Sequence, residues 1–414
     1  MPQQLLKRPT YISTIEPYID APLVKILTGI RRCGKSTLLQ QIAELLMQRN
    51  VPQTSILRYS FDSMQYAGWD AAQLYRHLTS ALPTDESRQD RRFYLFLDEV
   101  QEIDGWERVV NSLMAECNVD IYVTGSNSRM MSSEISTYLT GRYIAFRVFP
   151  LSFNEYLRFM AAYGMDDNSQ NTHYQLGQYI RHGGFPATCL TSYTDDQVYA
   201  IVKDIYNSTI FTDIVRRNNI RKVDQLERIV RYTFDNVGRT FSAATITKYL
   251  KSQNRSIDGE TVYSYLKQLE SAYILHRCSR YDLEGKEILK TQEKFYLADS
   301  SLRYAVLGYQ PDSVAAMLEN LVYLELLRRG WQPFVGKIGE AEVDFIAKKQ
   351  NQTMYIQIAQ TLGNPDTRKR EYGRLLNIHD NYPKYVLCTD EYTAGDYQGI
   401  TTMHVADFLL SKRW

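Results

Sequence analysis

The stretch that most constrains this chain is Gly29-Ile30-Arg31-Arg32-Cys33-Gly34-Lys35-Ser36, which fits G-x-x-x-x-G-K-[ST]. Its surroundings give the pattern a mechanism. The apolar run Leu23-Val24-Lys25-Ile26-Leu27 reads as a short buried strand, and Leu38, Leu39, Ile42, Leu45 and Leu46 follow at helical spacing. A glycine-rich turn between a parallel strand and a helix aims backbone N–H groups and the positive helix end at one point, which suits a polyphosphate. The octapeptide with Thr37 is then a nucleotide cradle for ATP. Lys35 is directed at the β- and γ-phosphates, and the Ser36 hydroxyl at Mg²⁺.

Two carboxylates end the next informative run. Phe93-Tyr94-Leu95-Phe96-Leu97-Asp98-Glu99 is apolar without period-2 alternation, as in a central strand covered on both faces. It has the form of a Walker B segment. Asp98 is expected to hold Mg²⁺ through its water shell, and Glu99 to orient and deprotonate the attacking water.

Residues 1–150 alternate apolar strands with amphipathic helices, the pattern of a doubly wound α/β core. The spacing predicts strands at about 23–28, 55–60, 93–97, 121–124 and 143–148. Ligands of such sheets bind outside the carboxyl ends of the strands, so the glycine loop, Asp98-Glu99 and Ser126-Asn127 should converge on one crevice. Asn127 reads either as a group that holds water or senses the γ-phosphate, or as a turn residue ending a strand. Arg142, directly before the fifth strand, is expected at the sheet's carboxyl-side rim or at a subunit boundary. Its guanidinium suits charge growing on a transferring phosphoryl group, or the capping of the preceding helix.

These segments together resemble the AAA-type P-loop ATPases, and within them a bacterial and archaeal family, Bacteroidetes members especially. The resemblance rests on Thr28 to Ser36, Phe96-Leu97-Asp98-Glu99-Val100-Gln101, Val123-Thr124-Gly125-Ser126-Asn127 and Leu139-Thr140-Gly141-Arg142. Phe149-Pro150-Leu151-Ser152-Phe153-Asn154-Glu155-Tyr156 and Gly183-Gly184-Phe185-Pro186 extend it over essentially the whole chain. The likeness implies that Ser126 or Asn127 is the sensor. It also implies that Arg142 is an arginine finger serving a neighbouring subunit.

Residues 151–217 are then a helical lid, with Gly183-Gly184 as a hinge or a tight turn. Residues 218–306 carry many cations, among them Arg228, Arg231, Arg239, Lys248, Lys251 and Arg255. Ser242 is placed to cap a helix through Leu250, and Asp258 a second through Leu269 that buries Val262, Tyr265, Leu266 and Leu269. Strands at 273–276 and 295–298, separated by polar residues 279–290, complete a winged helix. Its would-be recognition face offers Glu260, Tyr263, Ser264, Lys267 and Gln268, few cations for DNA, and fits packing or subunit contacts better.

Residues 307–414 form a second α/β unit. A helix around 317–328 carries Glu319 and Glu325, and strands follow at 342–347 and 354–359. The pattern resembles restriction-endonuclease-like folds, with Glu319 as a helix acid and Asp344 as the metal-site acid. Gln357 and Ala359, however, stand where a carboxylate and a lysine belong, so nuclease activity is not expected.

The near-neutral charge (+1) advertises no global affinity for nucleic acid. Cys33, Cys117, Cys189, Cys278 and Cys388 lack metal-ligand spacing and read as reduced thiols of a cytoplasmic protein. The helix end and the neighbouring Arg31 and Arg32 should favour a Cys33 thiolate, as a redox switch or merely a tolerated small residue. No apolar run spans a bilayer, and the first residues lack a secretion signal. The sequence thus leads to a Mg²⁺-dependent ATPase driving a conformational cycle, with its carboxyl-terminal half as effector. Alternatives are a slow ATP-bound switch and a DNA-processing factor. The partners to expect are ATP, further copies of the chain, DNA through the winged helix and an unidentified protein, with no membrane.

Overall fold

Five apolar runs of the amino-terminal region become one parallel sheet: β1 (Val24–Thr28), β2 (Ile56–Ser60), β3 (Phe93–Asp98), β4 (Val119–Gly125) and β5 (Tyr143–Arg147). The strand order is β2-β3-β4-β1-β5, every pairing parallel. β1 and β4 are buried throughout and β3 nearly so, while the outer strands β2 and β5 alternate. That is the burial a central and a flanking position dictate. In the computed structural model, residues 6–82, 91–131, 138–165, 171–255, 257–391 and 394–413 are described. Residues 1–5, the start of the stretch read above for a secretion signal, lie outside them.

The chain divides into two compact units, residues 1–149 with 271–273, and residues 150–270 with 274–414. In the first unit α1 (Pro9–Ile15), α2 (Lys35–Gln48), α3 (Ala71–Ala81) and α4 (Trp106–Glu116) accompany the sheet. α2 starts directly after left-handed Gly34 and buries Leu38, Leu39, Ile42 and Leu46. Asp70 and Gln73 form a capping box that starts α3. Lys25, the one charge inside the first apolar run, is fully buried and paired with Asp120 of β4. Burial pulls its pKa down against the pull of that carboxylate.

The second unit begins with α5 (Phe153–Ala162), α6 (Thr172–His182) and α7 (Asp195–Ser208), the last running on as π-helix over Thr209–Arg216. Gly183 and Gly184 follow α6 because nothing larger fits. Gly183 has φ 69°, and a Cβ there would collide with the Asp299 carboxylate. A Cβ on Gly184 would collide with the Leu151 carbonyl. The buried Asp299 accepts from Gly184 N–H at 2.7 Å, so this is a packed turn.

Helices α8 (Val223–Asp235), α9 (Ala243–Ser252) and α10 (Gly259–Ser271) come next, with the short β6 (Thr240–Phe241) after α8. Ser242 caps α9, and Asp258 accepts from Thr261 N–H at the start of α10, whose buried face is Val262, Tyr265, Leu266 and Leu269. β7 (Leu275–Asp282) and β8 (Glu287–Leu297) are much longer than the two short strands expected. The polar residues between them are paired rather than looped, with Arg280 opposite Leu289 and Tyr281 opposite Ile288. Asp282 accepts from the N–H groups of Glu284 and Gly285 and closes the turn.

α11 (Ser301–Leu307) and α12 (Val314–Arg328) lead into β9 (Gln332–Ile338), β10 (Ala341–Lys349) and β11 (Gln352–Ile358). α13 (Pro365–Leu376), β12 (Lys384–Cys388), β13 (Gly395–Tyr397), β14 (Ile400–His404) and α14 (Val405–Leu410) finish the chain. β7 pairs in parallel with β9, so one nine-stranded sheet, β13-β14-β12-β11-β10-β9-β7-β8-β6, crosses the boundary expected at residue 306. The edge of the hairpin is thereby covered, which short isolated strands would have left open. α12 is buried nearly all round, and its Asn320 side chain exchanges two hydrogen bonds with the Leu297 backbone at the end of β8.

Candidate nucleotide site

The glycine loop leaves the carboxyl end of β1 and turns back into α2. At Gly29 a Cβ would overlap the Val148 carbonyl oxygen, so the chain passes there only without a side chain. Gly34 has φ 98° and Arg32 φ 63°, the left-handed steps that fold the loop on itself. Lys35 is buried, and its Nζ donates to the carbonyls of Gly29 at 3.0 Å and Ile30 at 3.2 Å. Ser36 at the start of the helix is exposed and Thr37 half-buried.

The strand order brings the acids to this loop. β4 lies between β1 and β3, and Thr124 at its end accepts from Glu99 N–H at 2.9 Å and donates to the Asp98 carboxylate. Asp98 also holds a hydrogen bond with Ser36. Burial raises the Asp98 pKa against those two bonds, with Glu99 adding to the rise. Glu99 sits in the left-handed region at φ 49°, a strained backbone for a glutamate. Its Oε1 lies 3.6 Å from Lys35 Nζ, and its carboxylate accepts from the Gln101 amide. Burial would raise the Glu99 pKa, but Lys35, Gln101, Arg31 and Ser126 outweigh it and hold the carboxyl below its ordinary value. The structure therefore brings together Gly29, Lys35, Ser36, Asp98, Glu99 and Ser126. Asn127 follows Ser126, buried at the end of β4.

Two expectations fail on geometry. Arg142 is not at the carboxyl-side rim. The residue preceding a parallel strand lies at its amino end, and the Arg142 carbonyl accepts from Val24 N–H at the first residue of β1. The Arg142 side chain is exposed and donates to Asn111 at 3.3 Å. Cys33 is fully buried, its thiol donating to the Val148 carbonyl, and burial raises its pKa above the ordinary value against the pull of Lys35 and Arg8. A thiolate is disfavoured there.

Sequence reasoning gave Thr124 and Gln101 no part in the site. Thr124 was findable: Leu97 pairs with Val123, so Thr124 is beside Asp98 once β3 and β4 are aligned. Tyr273 was not findable. It belongs to the first unit and adopts φ 58°, with its ring 5.0 Å from the Arg147 guanidinium and a hydrogen bond to Thr28 before the loop.

In the second unit, the candidate acids Glu319 and Asp344 lie on α12 and β10. Gln357 turns its amide to Asp344 N–H at 3.3 Å, and Asp344 Oδ2 accepts from Ile358 N–H at 2.8 Å. Ala359 is buried against the core that includes Val343 and Ile346. Among the described residues no group of three or more His, Cys, Asp or Glu is arranged to hold a metal ion. No helix among them is long and apolar enough to cross a membrane.

Comparison with known proteins places the chain. A family model described as an AAA domain matches residues 21–157, and one described as a domain of unknown function matches residues 173–313. A Walker-type ATPase of Pyrococcus abyssi superposes with a TM-score of 0.50 at 14% identity, over 73% of this chain and 96% of that one. The first unit is thus an α/β AAA domain of the P-loop ATPase fold. An uncharacterized protein of Methanocaldococcus jannaschii is 28% identical over 84% of this chain and 77% of its own length. An uncharacterized protein of Haemophilus influenzae is 32% identical over 99% of this chain and 100% of its own. With that identity over its whole length, the chain, which carries an AAA domain at residues 21–157, belongs to the same family as the Haemophilus influenzae protein.

Proposed function

We propose that the chain is a Mg²⁺-dependent ATPase whose nucleotide turnover drives a conformational cycle, with the carboxyl-terminal half as its effector. One observation carries this reading: Lys35, Glu99, Asp98 and Ser36 meet at the mouth of a loop that only glycine can thread. The groups fit the ligand. Backbone N–H groups, an ammonium, a hydroxyl and a carboxylate are what a polyphosphate with a hard cation requires. Gly29 to Thr37 would cradle the phosphates, Lys35 would face their charge, and Ser36 with Asp98 would hold Mg²⁺. The metal supplies neutralisation of charge on the phosphoryl oxygens.

Glu99 is the base in this reading. Its neighbours keep it ionised, ready to accept a proton from water, while Thr124 and Gln101 fix its direction. Ser126 contacts Glu99, and with Asn127 it would register the γ-phosphate. Arg142 would serve the nucleotide of another copy. Residues 151–217 would act as the lid, 218–306 as a winged helix and 307–414 as a nuclease-like fold that does not cut. The exposed face of α10 carries Lys267 with Glu260 and Tyr263. One cation beside one acid is poor for duplex DNA and favours a protein partner.

Thermal unfolding with ATP and Mg²⁺ tests the core of this proposal. Ligand at about 100 times Kd should stabilise the chain by roughly 2.7 kcal/mol, and Lys35→Ala should lose most of that gain. An unchanged shift in the variant places the nucleotide elsewhere.

A further inference from the structure

The carboxyl-terminal sheet holds a charge cluster around a buried lysine that the ATPase reading does not use. Lys294 on β8 is 3% exposed. Its Nζ lies 2.8 Å from a Glu319 oxygen on α12 and 2.8 Å from a Glu342 oxygen on β10. Asp344, also on β10, adds its field to the same ammonium. Tyr296 donates its hydroxyl to Glu319 at 2.5 Å, and Gly238 keeps the far Glu319 oxygen open, since a Cβ there would stand 3.0 Å from it. Two carboxylates, one on α12 and one on β10, therefore pair directly with a cation supplied by β8, and Asp344 acts on it through its charge.

An isolated ammonium is among the costliest groups to bury, and it persists only where carboxylates surround it. Three carboxylates crowded together would equally repel one another unless a cation stood between them. Each half of the cluster answers the other's cost. Gln357 and Ala359 cannot contribute a charge: the amide of Gln357 is turned to the Asp344 backbone, and Ala359 is packed in the core.

We propose that the Lys294 ammonium is the resident cation of the pocket formed by Glu319, Glu342 and Asp344, standing where a divalent ion would otherwise bind. The sheet thus keeps an acid pocket without a metal, filled from a strand that sequence spacing does not connect to it. Removing the ammonium should uncover a cation site. The inference does not depend on the nucleotide site.

Mn²⁺ uptake by the full chain, followed by electron paramagnetic resonance without nucleotide, tests it. An Asp98→Asn background removes the expected metal ligand of the P-loop. That background protein should take up no Mn²⁺ at the pocket. Adding Lys294→Ala should create uptake there, at least about tenfold above the background protein, because the carboxylates lose their internal counter-ion. Adding Asp344→Asn to that variant should abolish the gain. Lys294→Met with Glu342→Gln removes one charge of each sign, guards against misfolding, and should still bind Mn²⁺ through Glu319 and Asp344. Uptake by the background protein that Asp344→Asn removes would overturn the proposal, since the pocket would then hold a metal beside its lysine. A folded Lys294→Met, Glu342→Gln protein that takes up none would overturn it as well.

Discussion

Glu99 and Asp98 are adjacent carboxylates with opposed pKa shifts, so their amides should fail differently. Glu99→Gln keeps size and hydrogen-bonding reach but cannot accept the proton, and turnover should fall by at least about 10²-fold with ATP still bound. Asp98→Asn should weaken Mg²⁺-dependent binding instead. Normal turnover by Glu99→Gln in a steady-state phosphate-release assay would remove it as the base. Asp344 makes a pH test of the second unit. Burial and the Glu319 charge push its pKa up to about 7 against the pull of Lys294. A carboxyl raised on folding binds more protons in the native state, so its stabilisation is complete at low pH and is lost as pH rises from about 4 towards 7. Asp344→Asn does not titrate. In urea melts it should gain on the parent by up to about 1.4 kcal/mol per pH unit across that window. A difference that does not vary with pH would show that Asp344 stays ionised. Much of the first site was legible because its residues lie in short contiguous runs. Lys294 was not, because its partners on α12 and β10 come from other elements and meet it only once the sheet is assembled.

At the level of elements, caps and close approaches decide what the chain tolerates. The strands of the first sheet and the capped α9 and α10 follow from apolar runs bounded by Ser and Asp, and the sequence marks both. The long hairpin β7–β8 was illegible, because its polar outer half is held by pairing with β9 more than fifty residues later. Local propensity carries no record of such a partner. Glycines separate the two kinds of constraint. Gly183 at the end of α6 is left-handed and pressed on Asp299, whereas Gly177 within α6 is exposed with no atom near a Cβ. Gly183→Ala should cost about 2–3 kcal/mol through strain and overpacking. Gly177→Ala should be neutral or stabilising by up to about 1 kcal/mol. Chemical denaturation followed by tryptophan fluorescence measures both, and equal costs would mean that the turn relaxes freely.

For the whole molecule, the position of Arg142 bears on whether one chain suffices. Its backbone is level with the start of β1, and the glycine loop follows the end of that strand. Five strand residues at roughly 3.3 Å each set them about 17 Å apart, beyond the reach of an arginine side chain. If Arg142 aids hydrolysis, it acts on the nucleotide of another copy. Arg142→Ala should then leave ATP affinity nearly intact and depress turnover. A mixture with Lys35→Ala should regain activity, because the Lys35→Ala copies still carry Arg142 and the Arg142→Ala copies still carry an intact nucleotide site. Mass measurement with and without ATP must first establish that the two variants form mixed assemblies. Recovery should rise with the fraction of mixed interfaces and vanish on dilution below the assembly threshold. Undiminished turnover by Arg142→Ala, full turnover by a strictly monomeric chain, or no recovery in a proven mixed assembly would each end the in-trans role. Arg142 would then be only a surface arginine bonded to Asn111.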